Sequence, residues 1–163
     1  MTFDGIIFDF NGVLWWDAPL VEKGWQRTAV ELRGRPFSTE EIARIVRGRN
    51  GRDTLEYLAG HPLEEVEIRR LTDEREAAYR GLCLQEGENF RLSPGAEELL
   101  DYLKARFIPR TIATASEKMN VDFFVDQLGL ARWFDPRLIV YDNAGGARRR
   151  DRLPGRAGIC FRG

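Results

Sequence analysis

The feature that most constrains this sequence is the segment Gly5–Leu14, GIIFDFNGVL, near the start of the chain. Its first half is continuously apolar, which is typical of a strand buried on both faces of a parallel sheet. Asp9 falls at the end of this run, and Gly12 then turns the chain. The pattern predicts a carboxylate at the C-terminal edge of a parallel strand, where open α/β sheets build their sites. A carboxylate in that position can act as a nucleophile toward phosphorus.

Composition argues against several classes of protein. The formal net charge is −1 at pH 7, so we expect neither nucleic acid nor a membrane surface as a partner. The first residues lack the basic and apolar regions of a secretory signal, and no apolar run reaches the ~18 residues of a membrane span. Cys83 and Cys160 match no metal-binding spacing. A reduced, cytoplasmic setting is therefore expected.

Residues 15–88 are expected to be helical throughout. Ser38 and Glu41 have the spacing of a capping box, and Asp53 is a candidate N-cap for the helix that follows a polar loop over 47–52. The predicted helices cover about 18–33, 39–46, 54–59 and 63–84.

Residues 89–142 have the alternating texture of an α/β fold. The expected elements are a helix opened by Ser93 and Pro94, a strand over 108–113, a turn over 114–116, a helix over 117–128 and a strand over 138–141. The fold class is therefore α/β, with a Rossmann-like parallel sheet core formed by 1–14 and 89–142 and an inserted helical cap at 15–88. Residues 143–163 are expected to form an irregular tail, which would leave the core incomplete at its C-terminal end.

Three features together resemble the haloacid dehalogenase superfamily, and in particular its capped phosphatases and β-phosphoglucomutase-like members. They are the string DFNGVL at 9–14, the helical insertion, and the string IATAS at 112–116. The resemblance covers roughly residues 1–142. It implies Mg-dependent phosphoryl transfer on a small phosphorylated metabolite, with Asp9 as the nucleophile that becomes an aspartyl-phosphate. It also implies a Mg²⁺ ion held by the Asp9 carboxylate and the backbone carbonyl of Asn11.

Asn11 departs from the family pattern, because members of the family usually carry a second aspartate there as general acid and base. An amide cannot exchange a proton near neutral pH, and such assistance is worth about 10²–10⁴-fold. Three interpretations stay open: slow hydrolysis, a leaving group that needs no proton, or another residue that supplies the proton. Asn11 could also be a simple turn former.

The resemblance places Thr114, Ala115 and Ser116 around the phosphoryl group, with Ser116 and Lys118 able to reach a substrate phosphate. The alternatives are helix caps for the two hydroxyls and a solvated side chain for Lys118. In the cap, Arg47, Arg49 and Arg52 suit phosphate oxygens, and a solvated loop is the alternative. Trp15 and Trp16 could line the pocket or pack the cap hinge, and packing is the simpler interpretation.

The tail lacks the lysine and the acidic pair that the family places after its third and fourth strands. Residues 143–163 contain six arginines, five glycines and no lysine, and Leu153–Arg156 only partly matches the expected Leu-Pro-Gly-Lys. The tail could bind polyanions, or a shifted reading frame or truncated gene could explain it. We expect the first strand to become an unpaired edge prone to self-association. The rival function is a catalytically impaired remnant or a non-catalytic phosphate-binding protein.

Overall fold

The computed structural model of the chain describes residues 4–47 and 50–142. Within them the chain divides into two compact units, a helical unit over Ala18–Gly87 and a sheet unit formed by the residues before and after it. The predicted site residue Arg49 and the predicted tail over 143–163 lie outside the described residues.

The elements alternate in the order expected of an α/β fold with a helical insertion. In chain order they are β1 (Ile6–Phe8), α1 (Ala18–Arg33), α2 (Thr39–Glu41, continued as a π-helix over Ile42–Val46), α3 (Gly51–Ala59), α4 (Glu65–Gln85), α5 (Ala96–Ala105), β2 (Arg110–Glu117), α6 (Lys118–Gln127) and β3 (Val140–Asp142). Short 3₁₀ turns cover Gly87–Asn89, Leu130–Arg132 and Pro136–Leu138. No helix of the described residues is both long enough and apolar enough to cross a bilayer.

The sheet is parallel throughout and has the order β1-β2-β3. Phe8 of β1 pairs with Ile112 of β2, and Ala113 of β2 pairs with Val140 of β3. The predicted parallel α/β sheet is therefore confirmed. Among the described strands β1 pairs only with β2, so it is an edge of the described sheet.

Aromatic side chains form much of the core of the sheet unit. Phe10 is 1% exposed, and its ring lies 4.4 Å from that of Phe124 on α6. Phe123, the residue before it, stacks on Phe90 at 5.5 Å. Because Phe10 sits between Asp9 and Asn11, its burial anchors the chain at the point where the candidate site begins.

The helical unit has its own apolar core. The buried residues of this core are Trp25, Ala29, Phe37, Ile42, Leu55, Leu58, Leu63, Ile68 and Leu71. The predicted capping box is present, since Glu41 N donates to Ser38 Oγ and Ser38 N donates to the Glu41 carboxylate.

Two predicted helix caps are wrong. Asn50, not Asp53, caps α3, because its side chain accepts a hydrogen bond from Asp53 N and Asp53 already lies in the first turn. Gly95, not Ser93, precedes α5, with φ of 80°. Ser93 instead ties the two parts of the sheet unit together, since its hydroxyl donates to Val13 O at 2.8 Å and its amide donates to Leu14 O at 2.8 Å.

Candidate active site at the ends of the first two strands

Asp9 comes directly after β1, at the C-terminal edge of the sheet. Its side chain is exposed, and its Oδ1 accepts a hydrogen bond from Phe10 N at 2.7 Å. Within the described residues Oδ2 has no hydrogen-bond partner. Asp9 is thus held through one oxygen of an exposed side chain, which suits a nucleophile or a metal ligand.

A tight turn follows Asp9. Gly12 has φ of 76°, a left-handed conformation that glycine adopts without steric cost. Its amide donates to Trp15 O at 2.7 Å, and the Phe10 carbonyl accepts from the amides of Leu14 and Trp15 at 2.9 and 3.0 Å. The turn returns the chain beside Asn11, so that Asp17 comes within hydrogen-bonding distance of it.

The Asn11 side chain connects the turn after β1 to the end of β2. Its Nδ2 donates to Asp17 Oδ2 at 2.6 Å, and its Oδ1 accepts from the Ser116 hydroxyl at 2.7 Å. A longer contact of 3.4 Å joins the same oxygen to the Thr114 hydroxyl. The structure therefore brings together three of the predicted site residues, one from the turn after β1 and two from β2.

The stretch from Thr114 to Ser116 lies inside β2 and not in a turn, so the predicted end of this strand is wrong. Four residue steps of β2, from Ala113 to Glu117, lie opposite only two of β3, from Val140 to Asp142. Such irregularities let a strand re-aim its side chains, and they are common beside active sites. The sequence signal misleads because Thr and Ser are as typical of a turn as of an irregular strand end.

The irregular stretch of β2 changes which backbone amides could donate a hydrogen bond to a phosphate. Ser116 N donates to Thr114 Oγ1 at 3.1 Å, and Thr114 is 2% exposed. The following helix begins only at Lys118, so the amides of Ala115 and Ser116 are not at its N-terminus as predicted. Ala115 is exposed between the two hydroxyl residues.

Lys118 is exposed at the first position of α6 and forms an ion pair with Asp122, with Nζ 2.5 Å from Oδ2. The hydrogen bond to that carboxylate raises the pKa of Lys118 above its ordinary value. Lys118 therefore stays charged, and its part in phosphate binding remains a prediction.

The cap arginines are paired within the helical unit. Arg52 lies in α3, not in a loop, and bonds to the carboxylate of Glu65, with Glu56 also 3.9 Å away. Arg47 lies 3.7 Å from Glu22. Both guanidinium groups have acidic neighbours within the same unit, and substrate binding by Arg52 remains a prediction.

The site contains one residue that the sequence did not suggest. Asp17 is 3% exposed, and its carboxylate binds the amide of Asn11. An aspartate one residue before a helix is most simply interpreted as an N-cap, so its position carries no hint of this contact. Its burial and its partner become visible only when the turn after β1 is folded.

Trp15 and Trp16 differ in their surroundings. Trp15 is 6% exposed, and its ring lies 5.1 Å from that of Phe90, whereas Trp16 is 62% exposed. The packing interpretation thus fits Trp15.

The oxygen donors of the site fit part of a magnesium sphere. Mg²⁺ usually takes one or two carboxylates and keeps several waters. Asp9 offers an exposed carboxylate oxygen, and the hydrogen bonds of the turn use the carbonyls of Phe10 and Trp15. The described residues contain no group of three or more His, Cys, Asp or Glu side chains that could hold a metal.

A groove of about 620 Å³ lies within the helical unit, and its lining includes none of the candidate site residues. It is lined by Arg27, Thr28, Glu31, Leu32, Arg70, Leu71, Glu74, Arg75, Ala77 and Ala78. Arg27 pairs with Glu31 at 2.8 Å, and Arg70 pairs with Glu74 at 2.9 Å. Because these charges neutralise each other, the groove is not a strong candidate for a phosphate site.

Comparison with known proteins identifies a family model and a curated protein that are similar to this chain. Residues 3–152 match the family model described as haloacid dehalogenase-like hydrolase. A phosphorylated carbohydrates phosphatase of Thermotoga maritima is 27% identical over 140 residues, which are 81% of this chain and 59% of that protein.

Solved structures show the same fold. A HAD hydrolase of family IA, variant 3, from Entamoeba histolytica superposes with a TM-score of 0.82 at 30% identity, over 89% of this chain and 64% of that one. A β-phosphoglucomutase from Clostridium difficile superposes with a TM-score of 0.67 at 22% identity, over 90% and 64%. The chain therefore spans about three fifths of the length of these relatives.

Proposed function

Because this chain belongs to the haloacid dehalogenase-like hydrolase family, we propose that it is a phosphatase or phosphomutase for a small phosphorylated carbohydrate. The observation that carries the proposal is the placement of Asp9, an exposed carboxylate at the end of β1 beside the hydroxyl residues that end β2. The name of the Thermotoga relative supports a phosphorylated carbohydrate as the substrate class. A cytoplasmic setting remains part of the proposal.

The proposed reaction begins at Asp9. Its Oδ2 donates an electron pair to phosphorus, and the bond from phosphorus to the sugar oxygen breaks, which gives an aspartyl-phosphate and an alkoxide that takes a proton from solvent water. In hydrolysis a water then attacks phosphorus and passes a proton to the solvent, the bond to Asp9 breaks, and the carboxylate is regenerated with release of phosphate. The hydrogen bond from Phe10 N to Oδ1 supports this role because it orients the carboxylate without using Oδ2.

We propose that Thr114 and Ser116 hold the phosphoryl oxygens. The 3.4 Å contact from Thr114 to Asn11 is weak, so this hydroxyl can turn to a phosphoryl oxygen at little cost. Ser116 donates to Asn11 at 2.7 Å and has to exchange that partner for the substrate. Ala115 and Lys118 are the further candidates for contact with the phosphate.

Magnesium is the proposed cofactor. The Asp9 carboxylate and the Asn11 carbonyl would hold it, and the ion would offset the repulsion between the nucleophile and the phosphate oxygens. Water and residues outside the described ranges would supply the remaining ligands.

The rival proposal is a catalytically impaired or purely phosphate-binding protein. It is favoured by Asn11, whose amide cannot donate a proton to a leaving alkoxide and whose polar atoms already have partners. The two proposals differ in turnover, and they differ most for substrates whose leaving group is a strong base.

The test compares hydrolysis by the wild type, Asp9→Asn and Asp126→Asn in the presence of Mg²⁺. The substrates are p-nitrophenyl phosphate, whose leaving group needs no proton, and a set of sugar phosphates. Asp126 is an exposed carboxylate on α6 and serves as the matched control. We expect only Asp9→Asn to abolish turnover, whereas equal rates for the wild type and Asp9→Asn would remove Asp9 from the mechanism.

A further inference from the structure

We propose that Asp17 is a positioning residue of the phosphoryl-transfer site, which acts through Asn11 by fixing the direction of its amide. This inference rests on the proposed function, because the reaction is what the fixed amide would serve. Asp17 lies eight residues beyond Asp9 and is 3% exposed, yet its carboxylate meets Asn11 Nδ2 at 2.6 Å. A buried carboxylate is costly unless it is hydrogen-bonded, and the Asn11 amide supplies one such bond.

The partner of the Asn11 amide determines which way the amide points. An ionised carboxylate can only accept hydrogen bonds, whereas an amide has one donor end and one acceptor end. Asp17 therefore forces the donor end of Asn11 toward itself. A hydrogen bond with a charged partner at 2.6 Å is among the stronger kinds, so the amide has one preferred direction.

The direction of the amide determines which of its atoms faces β2. With Nδ2 held by Asp17, Oδ1 must face β2, where it accepts from the Ser116 hydroxyl at 2.7 Å and from Thr114 at 3.4 Å. If the amide turned over, its N–H groups would face those hydroxyls, and the hydroxyl protons would have to point elsewhere. Asp17 thus sets the proton direction of a hydroxyl that it does not itself touch.

The same hydrogen bonds link the turn after β1 to β2. The bonds from Asp17 to Asn11 and from Asn11 to Ser116 join the turn that follows the nucleophile to the irregular end of β2. Misplacement of reacting groups by about 1 Å can cost about 10²-fold in rate. A group that fixes this link has a catalytic effect even though it makes no contact with the substrate.

A double-mutant cycle tests the inference. The variants are Asn11→Ala, Asp17→Ala and the double variant, with Asp17→Asn as the conservative change, since its carbonyl can still accept from Asn11. We expect Asp17→Ala to lower kcat/KM for p-nitrophenyl phosphate by about tenfold or more, the size of losing a charge-assisted hydrogen bond. We expect Asp17→Asn to retain more of the rate, and Asp17→Ala to cost nothing further once Asn11 is alanine.

Asp101→Ala is the matched control. Its carboxylate also holds a buried side chain, the Trp133 indole at 2.8 Å, but belongs to α5. We expect it to lower the melting temperature and to leave kcat/KM unchanged. The inference is overturned if Asp17→Ala has wild-type kcat/KM, or if its loss is as large in the Asn11→Ala background as in the wild type.

A second readout separates this inference from the proposed function. The side-chain NH₂ protons of Asn11, identified by their loss in Asn11→Ala, should exchange slowly with water and should exchange at least about tenfold faster in Asp17→Ala. If the wild type lacks Asp9-dependent hydrolysis but shows this change, the proposed function fails and the orienting contact stands. If hydrolysis depends on Asp9 and the exchange rate does not respond to Asp17→Ala, the inference is wrong.

Discussion

Asn11 is the residue whose identity matters most for what the site can do. In the structure its amide is part of a chain of hydrogen bonds from Asp17 to Ser116. An aspartate in its place would set a carboxylate against that of Asp17. The asparagine and the buried aspartate are therefore matched to each other.

This match predicts the effect of restoring the usual family residue. Asn11→Asp alone should lower the melting temperature and bring no gain in hydrolysis, because two carboxylates in contact repel each other. The double variant Asn11→Asp with Asp17→Asn restores a donor and an acceptor and moves the charge to position 11. It should recover stability and raise sugar phosphate hydrolysis by up to about 10²–10⁴-fold.

Melting curves and steady-state rates for the two variants check this prediction. p-Nitrophenyl phosphate is the matched control substrate, since its leaving group needs no proton and its rate should change less. An Asn11→Asp variant as stable as the wild type would contradict the account of the pair.

Phe10 is the second residue with a clear expected effect. It is 1% exposed, packs on Phe124 and lies between the two candidate site residues of the β1 turn. Phe10→Ala should destabilise the protein by about 3–5 kcal/mol, through the lost apolar burial and the cavity left behind. Phe107→Ala is the control, because Phe107 is 91% exposed and should change the free energy of unfolding by about 0.5 kcal/mol or less. Denaturant unfolding measures both, and equal effects would contradict the assigned packing.

Some residues of the site could be predicted from the sequence and others could not. The position of Asp9 was predictable, because a carboxylate that follows a continuously apolar strand lies at the C-terminal edge of a parallel sheet. The contact between Asn11 and Asp17 was not, because it depends on how the Gly12 turn folds back.

At the scale of elements, β2 determines the shape of the site. It continues to Glu117, four residues beyond the predicted end at Ala113, and its register with β3 slips over that stretch. Apolar periodicity predicted the regular part of the strand. The residues of the irregular part, 114–117, do not alternate in hydrophobicity, so the sequence carries no signal that the strand continues through them.

The α2 capping box has an electrostatic consequence. Hydrogen bonds from the Arg33 guanidinium and the Ser38 amide hold the pKa of Glu41 well below its ordinary value, and Arg33 has the larger effect. Arg33 binds both oxygens of Glu41, at 2.7 and 3.0 Å. A depressed carboxyl pKa contributes stability that is fully present above the unfolded value of about 4.3 and is lost as the pH falls toward the folded pKa.

Glu41→Gln should therefore lower the melting temperature at pH 7, and the difference from the wild type should shrink below about pH 4. Glu40→Gln is the matched control, because Glu40 is an exposed acidic residue in the same helical turn. Thermal melting at a series of pH values measures both variants. A Glu41→Gln deficit that stays constant down to pH 3 would refute this assignment.

At the scale of the whole molecule, sequence patterning predicted the parallel sheet and a helical insertion over 15–88, and the helices of the insertion lie within Ala18–Gly87. It did so because apolar periodicity and helix-start signals are local. The caps of α3 and α5 were wrong for a related reason: several residues near each helix start have cap chemistry, and tertiary contacts decide among them.

The described sheet also predicts behaviour in solution. β1 has one partner strand among the described residues, and Ile6, Ile7 and Phe8 are only partly buried. An apolar edge is a template for pairing with another chain, so we expect association that increases with concentration. Sedimentation velocity over a dilution series measures it. A single monomer species at all concentrations, with a sharp cooperative melt, would contradict this expectation.

The proposed reaction requires a covalent bond between Asp9 and the phosphoryl group. Trapping that bond would test the proposed function. The protein is mixed with Mg²⁺ and a phosphorylated substrate, quenched in acid and analysed by peptide mass spectrometry. We predict one added phosphoryl group on the peptide that contains Asp9, with no adduct in Asp9→Asn and an unchanged adduct in Asp126→Asn. Turnover by Asp9→Asn at the wild-type rate, or an adduct on another residue, would contradict the account.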